Sequence, residues 1–299
     1  MAEASAPTAA LGTFDADTAV RELRRTGGGE QPAEVELAAD VSPDWRAGRG
    51  PHGGYLAAML LRALIATMAD PQRAPRSLTI HYARAPEPGP VSILARIERQ
   101  GRSLSTLSAR MEQEGKLIAL ALAAFSVPWS APEVLELPMP DVAPPDPQQQ
   151  AGAPLFKHAP PFTRHIVVQP RIGAVPFTGS EEPMEIGSWL GLAEPRAIDA
   201  ISLAFFSDAL FSPPFIRLRE PATTPTVDLT VHFRKALTAA AAPIGNDARV
   251  QHAEGELCFA RFRSGLIQDG FFEEDGVIWA ADGTVLAQSR QLGIVMSLA

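Results

Sequence analysis

LTIHYARA, residues 78–85, and LTVHFRKA, residues 229–236, write one strand twice, at an offset of 151 positions (Leu78 to Leu229) in a chain of 299 residues. Both copies alternate. Leu78, Ile80 and Tyr82 share one side, as do Leu229, Val231 and Phe233; Thr79 and His81 oppose them, as Thr230 and His232 do. A period of two is that of a strand with one buried face. Their equivalence marks His81 and His232 as sheet-surface residues.

The surroundings repeat as well. GGYLAAMLLRALIATMA, residues 53–69, precedes the first copy. It has helix length and apolar residues nearly all round, which predicts a buried helix. DAISLAFFSDALFSPP, residues 199–214, precedes the second copy, with Asp199 as N-cap and Pro213-Pro214 as the stop. After the first copy, strands are expected over Val91–Gln100, Ser103–Glu112 and Leu117–Val127, separated by PEPGP and by turns at Gly101 and Gly115. After the second they are expected over Ala248–Arg263, Val277–Ala281 and Val285–Val295, with a turn at Asp282-Gly283. The closing strands, EGKLIALALAAFSV and DGTVLAQSRQLGIV, align at an offset of 168 (Glu114 to Asp282). The second half therefore carries about 17 extra residues, expected near Leu266–Glu274.

Between the halves runs WSAPEVLELPMPDVAPPDPQQQAGAP, residues 129–154, rich in Pro and Gln. It cannot continue a sheet and is expected to be an extended linker. The fold class is thus α+β, two copies of a buried helix with an antiparallel sheet: residues 1–128, a linker over 129–160, and residues 161–299.

Composition removes several functions. Lys and Arg number 26 against 34 Asp and Glu, a net charge of −8 without long like-charge runs. A nucleic-acid partner would need a basic stripe, and an anionic membrane would find little to attract it. No apolar run approaches the roughly 20 residues that span a bilayer. The opening MAEASAPTAALGTFDAD lacks the basic and apolar regions of a signal peptide. Cys258 is the single cysteine, which excludes an internal disulfide and a multi-cysteine metal site. Within GELCFARF it is expected to be a buried structural thiol, and a reducing cytoplasm is the simplest setting. The six histidines include no H-x-x-x-H pair, so no metal is expected. HGG, residues 52–54, has the look of an esterase oxyanion loop, but no G-x-S-x-G elbow accompanies it. TGGGE, residues 26–30, is neither a P-loop nor a dinucleotide fingerprint.

A long apolar helix wrapped by an antiparallel sheet resembles the hotdog fold. Two tandem copies resemble the double-hotdog acyl-CoA thioesterases, the thioesterase II family and its thioesterase-like relatives. HGGYLAAML, RSLTIHYARAPEPGP, FFSDALF, TVDLTVHF and DGTVLAQSRQLGIV carry the resemblance, which covers nearly the whole chain. It implies an acyl-CoA or related acyl thioester as partner, hydrolysed to free acid and CoA. It implies no cofactor beyond the CoA of the substrate. It also implies a helix Asp, a strand Thr and a late-strand Gln around an attacking water, matched here by Asp208, Thr226 and Gln291.

The residues themselves say part of this. Asp208 has Ala204, Phe205 and Phe211 as helical neighbours, so its side of the helix is apolar. Desolvation raises a carboxyl pKa, which suits a general base; the plainer alternative is an exposed Asp near a helix C-terminus, where the dipole disfavours it. Thr226 can equally be a strand-entry residue, and Gln291 a solvent-facing strand residue. The repeat acts as a control. At the offsets above, Asp208, Thr226 and Gln291 stand opposite Ala57, Pro75 and Ala123, none able to hydrogen-bond through its side chain. One site per chain, built mainly by the second half, is expected.

At His52, Gly53 and Gly54 the glycines permit either close approach of a substrate, with free N–H groups to polarise a carbonyl, or tight packing of a helix entry. Phe205, Phe206 and Phe211 would line an acyl channel, and Trp45 and Trp189 are core plugs or its border. Two rivals stay open: a double-hotdog protein that binds acyl-CoA without turnover, and an enoyl-CoA hydratase. The hydratase needs an Asp–His pair, yet His52 belongs to the half without Asp208. Two units in one chain already mimic a homodimer, and further homo-oligomeric assembly stays open.

Overall fold

The computed structural model describes residues 13–28, 31–147, 159–237 and 256–297. Its first half comprises helix α1 (Thr13–Asp17), strands β1 (Arg21–Gly28) and β2 (Gln31–Val41), helix α2 (Gly53–Met68), then β3 (Ala74–Tyr82), β4 (Gly89–Gln100), β5 (Leu104–Gln113) and β6 (Lys116–Ser126). The second half runs β7 (Ile166–Ile172), β8 (Glu185–Leu192), α3 (Ala200–Phe206), β9 (Thr226–Phe233), β10 (Cys258–Arg263), β11 (Phe271–Ala280) and β12 (Val285–Ile294).

These strands form one continuous antiparallel sheet in the order β1-β2-β4-β5-β6-β3-β9-β12-β11-β10-β8-β7. The order reads the same from either edge once each strand is replaced by its repeat partner. The two copies meet where β3 pairs with β9, and Thr79 faces Thr230 there, their hydroxyls 3.0 Å apart. The segment that reveals the repeat is therefore also the seam. His81 and His232 lie on the solvent side, as expected.

Inside the sheet, α2 is buried along most of its length, Tyr55 through Leu61 at 0–3% exposure and Met68 at 5%, with Ile65 and Ala66 half-buried. Each large apolar side chain so buried contributes about 1.5–3 kcal/mol, so this helix is the mainstay of the core. Its one cation, Arg62, is buried against Asp15 and donates to Thr18 Oγ1 at 2.8 Å. Arg196 joins the same cluster, reaching Asp15 at 3.0 Å and both oxygens of Asp199 at 2.9 Å. Asp199 in turn caps α3, accepting from Ser202 N–H at 2.9 Å while Ser202 Oγ accepts from Asp199 N–H at 2.9 Å. A charged knot thus sets where α3 begins.

Several sequence expectations shift. The second helix stops at Phe206, well before the prolines. Ser207 Oγ turns back onto the Leu203 carbonyl at 2.8 Å, and the Asp208 and Ala209 N–H groups bond three residues back, at 3.2 and 3.3 Å. Such tightening ends a helix. The strand expected over Val277–Ala281 begins at Phe271, and the one expected over Ala248–Arg263 begins at Cys258, with residues 248–255 outside the described residues. The extra length of the second half is consequently not centred on Leu266–Glu274. It falls mainly between Phe233 and Cys258; beyond that the spacing is kept, since Arg263 pairs with Asp275 as Arg96 pairs with Ser108.

Residues 129–147 contain no helix or strand, yet they are tied down. Leu137, Met139 and Val142 cover a row of aromatics, Trp189, Phe259 and Trp279, on the sheet face opposite the helices. Trp189 Nε1 donates to the Ala143 carbonyl at 2.8 Å and Trp279 Nε1 to the Leu137 carbonyl at 3.1 Å. Trp189 accordingly lies away from the main core, whereas Trp45 is inside it, stacked on Tyr55. No helix among the described residues is long and apolar enough to cross a membrane.

Candidate active site

Asp208 sits two residues beyond α3, where the end of that short helix runs into the start of α2. The contact is close. A Cβ on Gly54 would lie 2.4 Å from the Phe205 carbonyl oxygen, and one on Gly53 would lie 2.7 Å from Asp208 Oδ2. Gly53-Gly54 is there because only glycine admits the end of α3. The Gly54 N–H donates to Asp208 Oδ2 at 2.9 Å. The helix start therefore grips the carboxylate: of the two readings open for Gly53 and Gly54, the geometry is that of a tightly packed helix entry, with the Gly54 and Tyr55 N–H groups engaged.

His52 completes the grip. Its Nδ1 accepts from the Tyr55 N–H at 3.3 Å, so Nε2 carries the proton and donates to the Asp208 carbonyl oxygen at 2.7 Å. That is the neutral tautomer, and burial lowers the imidazole pKa against the pull of the nearby Asp208 charge. Nε2 also lies 3.7 Å from Asp208 Oδ2. The pair is not an ion pair, because the ring is uncharged and both of its nitrogens are engaged. Here the fold overturns the separation drawn from sequence: His52 and Asp208 come from different halves and touch.

Burial raises the Asp208 pKa above the usual carboxylate range. The His52 ring, the Gly54 N–H, the Gln291 amide and the Gly53 N–H oppose the rise. Gln291 is buried on the inner face of β12, and Thr226 opens β9 beside it. Thr226 Oγ1 donates to Gln291 Oε1 at 2.9 Å. Asp208, Thr226 and Gln291 thus converge from a helix end and two strands.

A fourth polar group was missed. Glu274, 4% exposed, points inward from β11 between Phe272 and Gly276, and its Oε1 accepts from Gln291 Nε2 at 2.6 Å. Burial pushes this carboxyl up to about 8, with Gln291 lowering it and Asp208 and Asp275 raising it. Its register partner across the sheet is Gln291. In the first half the same row pairs Leu107 with Ala123. Comparing repeats would have exposed Glu274 had β11 been expected to start early enough.

The remaining candidates lie as follows. Phe205 and Phe206 are fully buried in the core, Phe205 packed against Phe14, Trp45 and His52, and Phe211 is half-buried against that core. Helix-based comparison also alters one control position. The N-caps His52 and Asp199 align the two helices, which puts Asp208 opposite Leu61 instead of Ala57. Strand register keeps Thr226 with Pro75 and Gln291 with Ala123. Cys258 is fully buried, its thiol on the Leu190 carbonyl and pushed up to about 12.

Comparison with known proteins places these features. Residues 41–126 match the acyl-CoA thioesterase N-terminal domain family, and residues 139–295 match the acyl-CoA thioesterase C-terminal domain family. An uncharacterized protein of Mycobacterium tuberculosis is 24% identical over 306 residues, covering 94% of this chain and 98% of its own. A hot dog fold protein of unknown function from Alicyclobacillus acidocaldarius superposes with a TM-score of 0.78 at 25% identity, covering 97% of this chain and 100% of its own. An acyl-CoA thioesterase II from Mycobacterium marinum superposes at 0.66 with 19% identity, over 88% and 94% of the two chains.

Proposed function

The chain belongs to the acyl-CoA thioesterase family and is a thioesterase, and we propose on that premise that it hydrolyses acyl-CoA with a water held by Asp208, Thr226 and Gln291. The observation that carries this assignment is the meeting of those three side chains in one largely buried place whose counterpart in the other half is apolar. Asp208 takes a proton from the water as its oxygen adds to the thioester carbonyl carbon. The tetrahedral adduct then expels the sulfur, and the proton on Asp208 goes to the departing thiolate. Free acid and CoA result. A carboxylate whose pKa is raised by burial is a stronger base than an exposed one.

Proton transfer, carbonyl addition and expulsion of the thiolate change no oxidation state, so no redox cofactor is called for, and CoA enters only as the thiol of the substrate. The hydratase alternative gains no support from the contact between His52 and Asp208, because neither ring nitrogen is left to move a proton.

Thiol release across an acyl-CoA chain-length panel tests the assignment. Asp208→Asn is expected to lower kcat by about 10²–10⁴-fold. In the wild type, kcat/KM should rise with pH through the raised Asp208 pKa, since only the ionised carboxylate accepts a proton. Wild-type rates in Asp208→Asn would remove Asp208 as the base.

A further inference from the structure

We propose that Glu274 is a positioning residue for this reaction: its carboxyl takes an amide N–H of Gln291 and so holds that side chain where it meets Thr226 and lies beside Asp208. The inference rests on the assignment of Asp208, Thr226 and Gln291 above. A glutamine amide is nearly symmetric in shape, and turned over it would present N–H groups to Thr226 and an oxygen to Asp208. Two contacts hold the amide in place. Gln291 Nε2 donates to Glu274 Oε1 at 2.6 Å, and Gln291 Oε1 accepts from Thr226 Oγ1 at 2.9 Å. One N–H remains, and the Gln291 amide lies close enough to Asp208 to lower its pKa.

Nothing in the fold demands an acid at 274. The corresponding residue of the first half, Leu107, is fully buried in the core, and the neighbours Phe272 and Ile278 keep that character on β11. A carboxyl buried there is costly unless it is bonded, and its bond goes to Gln291. The charged groups near it are Asp208 on the helix side and Asp275 on the opposite face of β11, the latter paired with Arg290 at 2.8 Å. Burial holds Glu274 neutral up to about pH 8. Above that it ionises next to Asp208 and adds negative charge where the reaction itself develops an oxyanion, so turnover should fall.

Steady-state thiol release from pH 5.5 to 9.5 separates the possibilities, with wild type, Glu274→Gln, Glu274→Leu and Asp208→Asn assayed together. Wild-type kcat should show an alkaline limb near pH 8. Glu274→Gln, which keeps an acceptor for Gln291 but cannot ionise, should retain wild-type kcat at neutral pH and lose the limb. Glu274→Leu should lose the limb and roughly 10- to 100-fold in kcat, with KM little changed, as loss of orientation would produce. Full activity in Asp208→Asn sinks the catalytic assignment, and this inference with it. Loss in Asp208→Asn alongside wild-type kcat in Glu274→Leu overturns the role of Glu274 alone. Should Glu274→Leu fail to fold, the Glu274→Gln profile decides, and a retained alkaline limb overturns the proposal.

Discussion

Across the row β5–β6–β3 the first half presents Leu107, Ala123 and Leu78 to the core; across β11–β12–β9 the second presents Glu274, Gln291 and Leu229. Strand order, pairing and register agree, and the polarity does not. The helices differ in the same sense. α2 has 16 residues, most of them apolar and buried, whereas α3 has only 7, all buried, and begins at a capping box tied to a buried ion cluster. Duplication has let one copy supply the core while the other gives up apolar packing for a set of polar groups. The first copy is not idle at the site, since its helix start holds Asp208 through Gly54 and His52.

If α3 depends on its cap and α2 on its burial, Asp199→Ala should be strongly damaging. It removes the N-cap acceptor and takes from buried Arg196 two hydrogen bonds of 2.9 Å. Breaking a buried pair costs about 3–5 kcal/mol. Asp15 still holds Arg196, so about 3 kcal/mol is expected by chemical denaturation. Activity should fall with stability because Asp208 rides on the end of this helix. A loss below about 1 kcal/mol would show that α3 stands on burial as α2 does.

The second position of each helix sharpens the contrast. α2 has Gly54 where α3, aligned by its N-cap, has the branched Ile201. The two helices share one geometry, so the difference must come from their surroundings. Gly54 faces the Phe205 carbonyl, a backbone atom that cannot swing aside. Gly54→Ala should cost about 1–3 kcal/mol and push the end of α3 away. The carboxylate of Asp208 would then be displaced, so kcat should drop by more than the change in stability alone accounts for. Wild-type kcat in a folded Gly54→Ala protein would mean that the grip on Asp208 is incidental.

What the sequence revealed and concealed follows from the range of the forces involved. Alternation in LTIHYARA and LTVHFRKA is local, and it gave the seam of the sheet. Thr226 and Gln291 came from the family resemblance, and the repeat could serve as their control because strand register carries its offset faithfully across the sheet. The end of α3 was misplaced because Ser207 closes the helix through its own hydroxyl, ahead of the prolines that looked like the stop. Glu274 was hidden in Leu266–Glu274, where the extra length of the second half was expected; only burial on the inner side of β11 separates it from its half-exposed and exposed neighbours Glu273 and Asp275. The contact of His52 with Asp208 joins residues 156 positions apart and leaves no local trace.

The outer face of the sheet offers the mildest test of how unlike the halves are. On the second half the connecting segment covers Trp189, Phe259 and Trp279 with Leu137, Met139 and Val142. On the first half Leu94, Leu120 and Leu122 remain 39–53% exposed, among side chains such as Arg96 and Arg110. Covering is therefore required where the outward row is aromatic and dispensable where charges dilute it. Leu137→Ala removes apolar contact but keeps the backbone carbonyl that accepts from Trp279 Nε1. For a half-buried leucine the expected cost is about 1 kcal/mol or less, with kcat unchanged because the row lies on the far side of the sheet from Asp208. Tryptophan emission should shift to the red as the segment loosens over Trp279. A change in kcat without that shift would show that the connecting segment acts on the site by some route other than covering these rings.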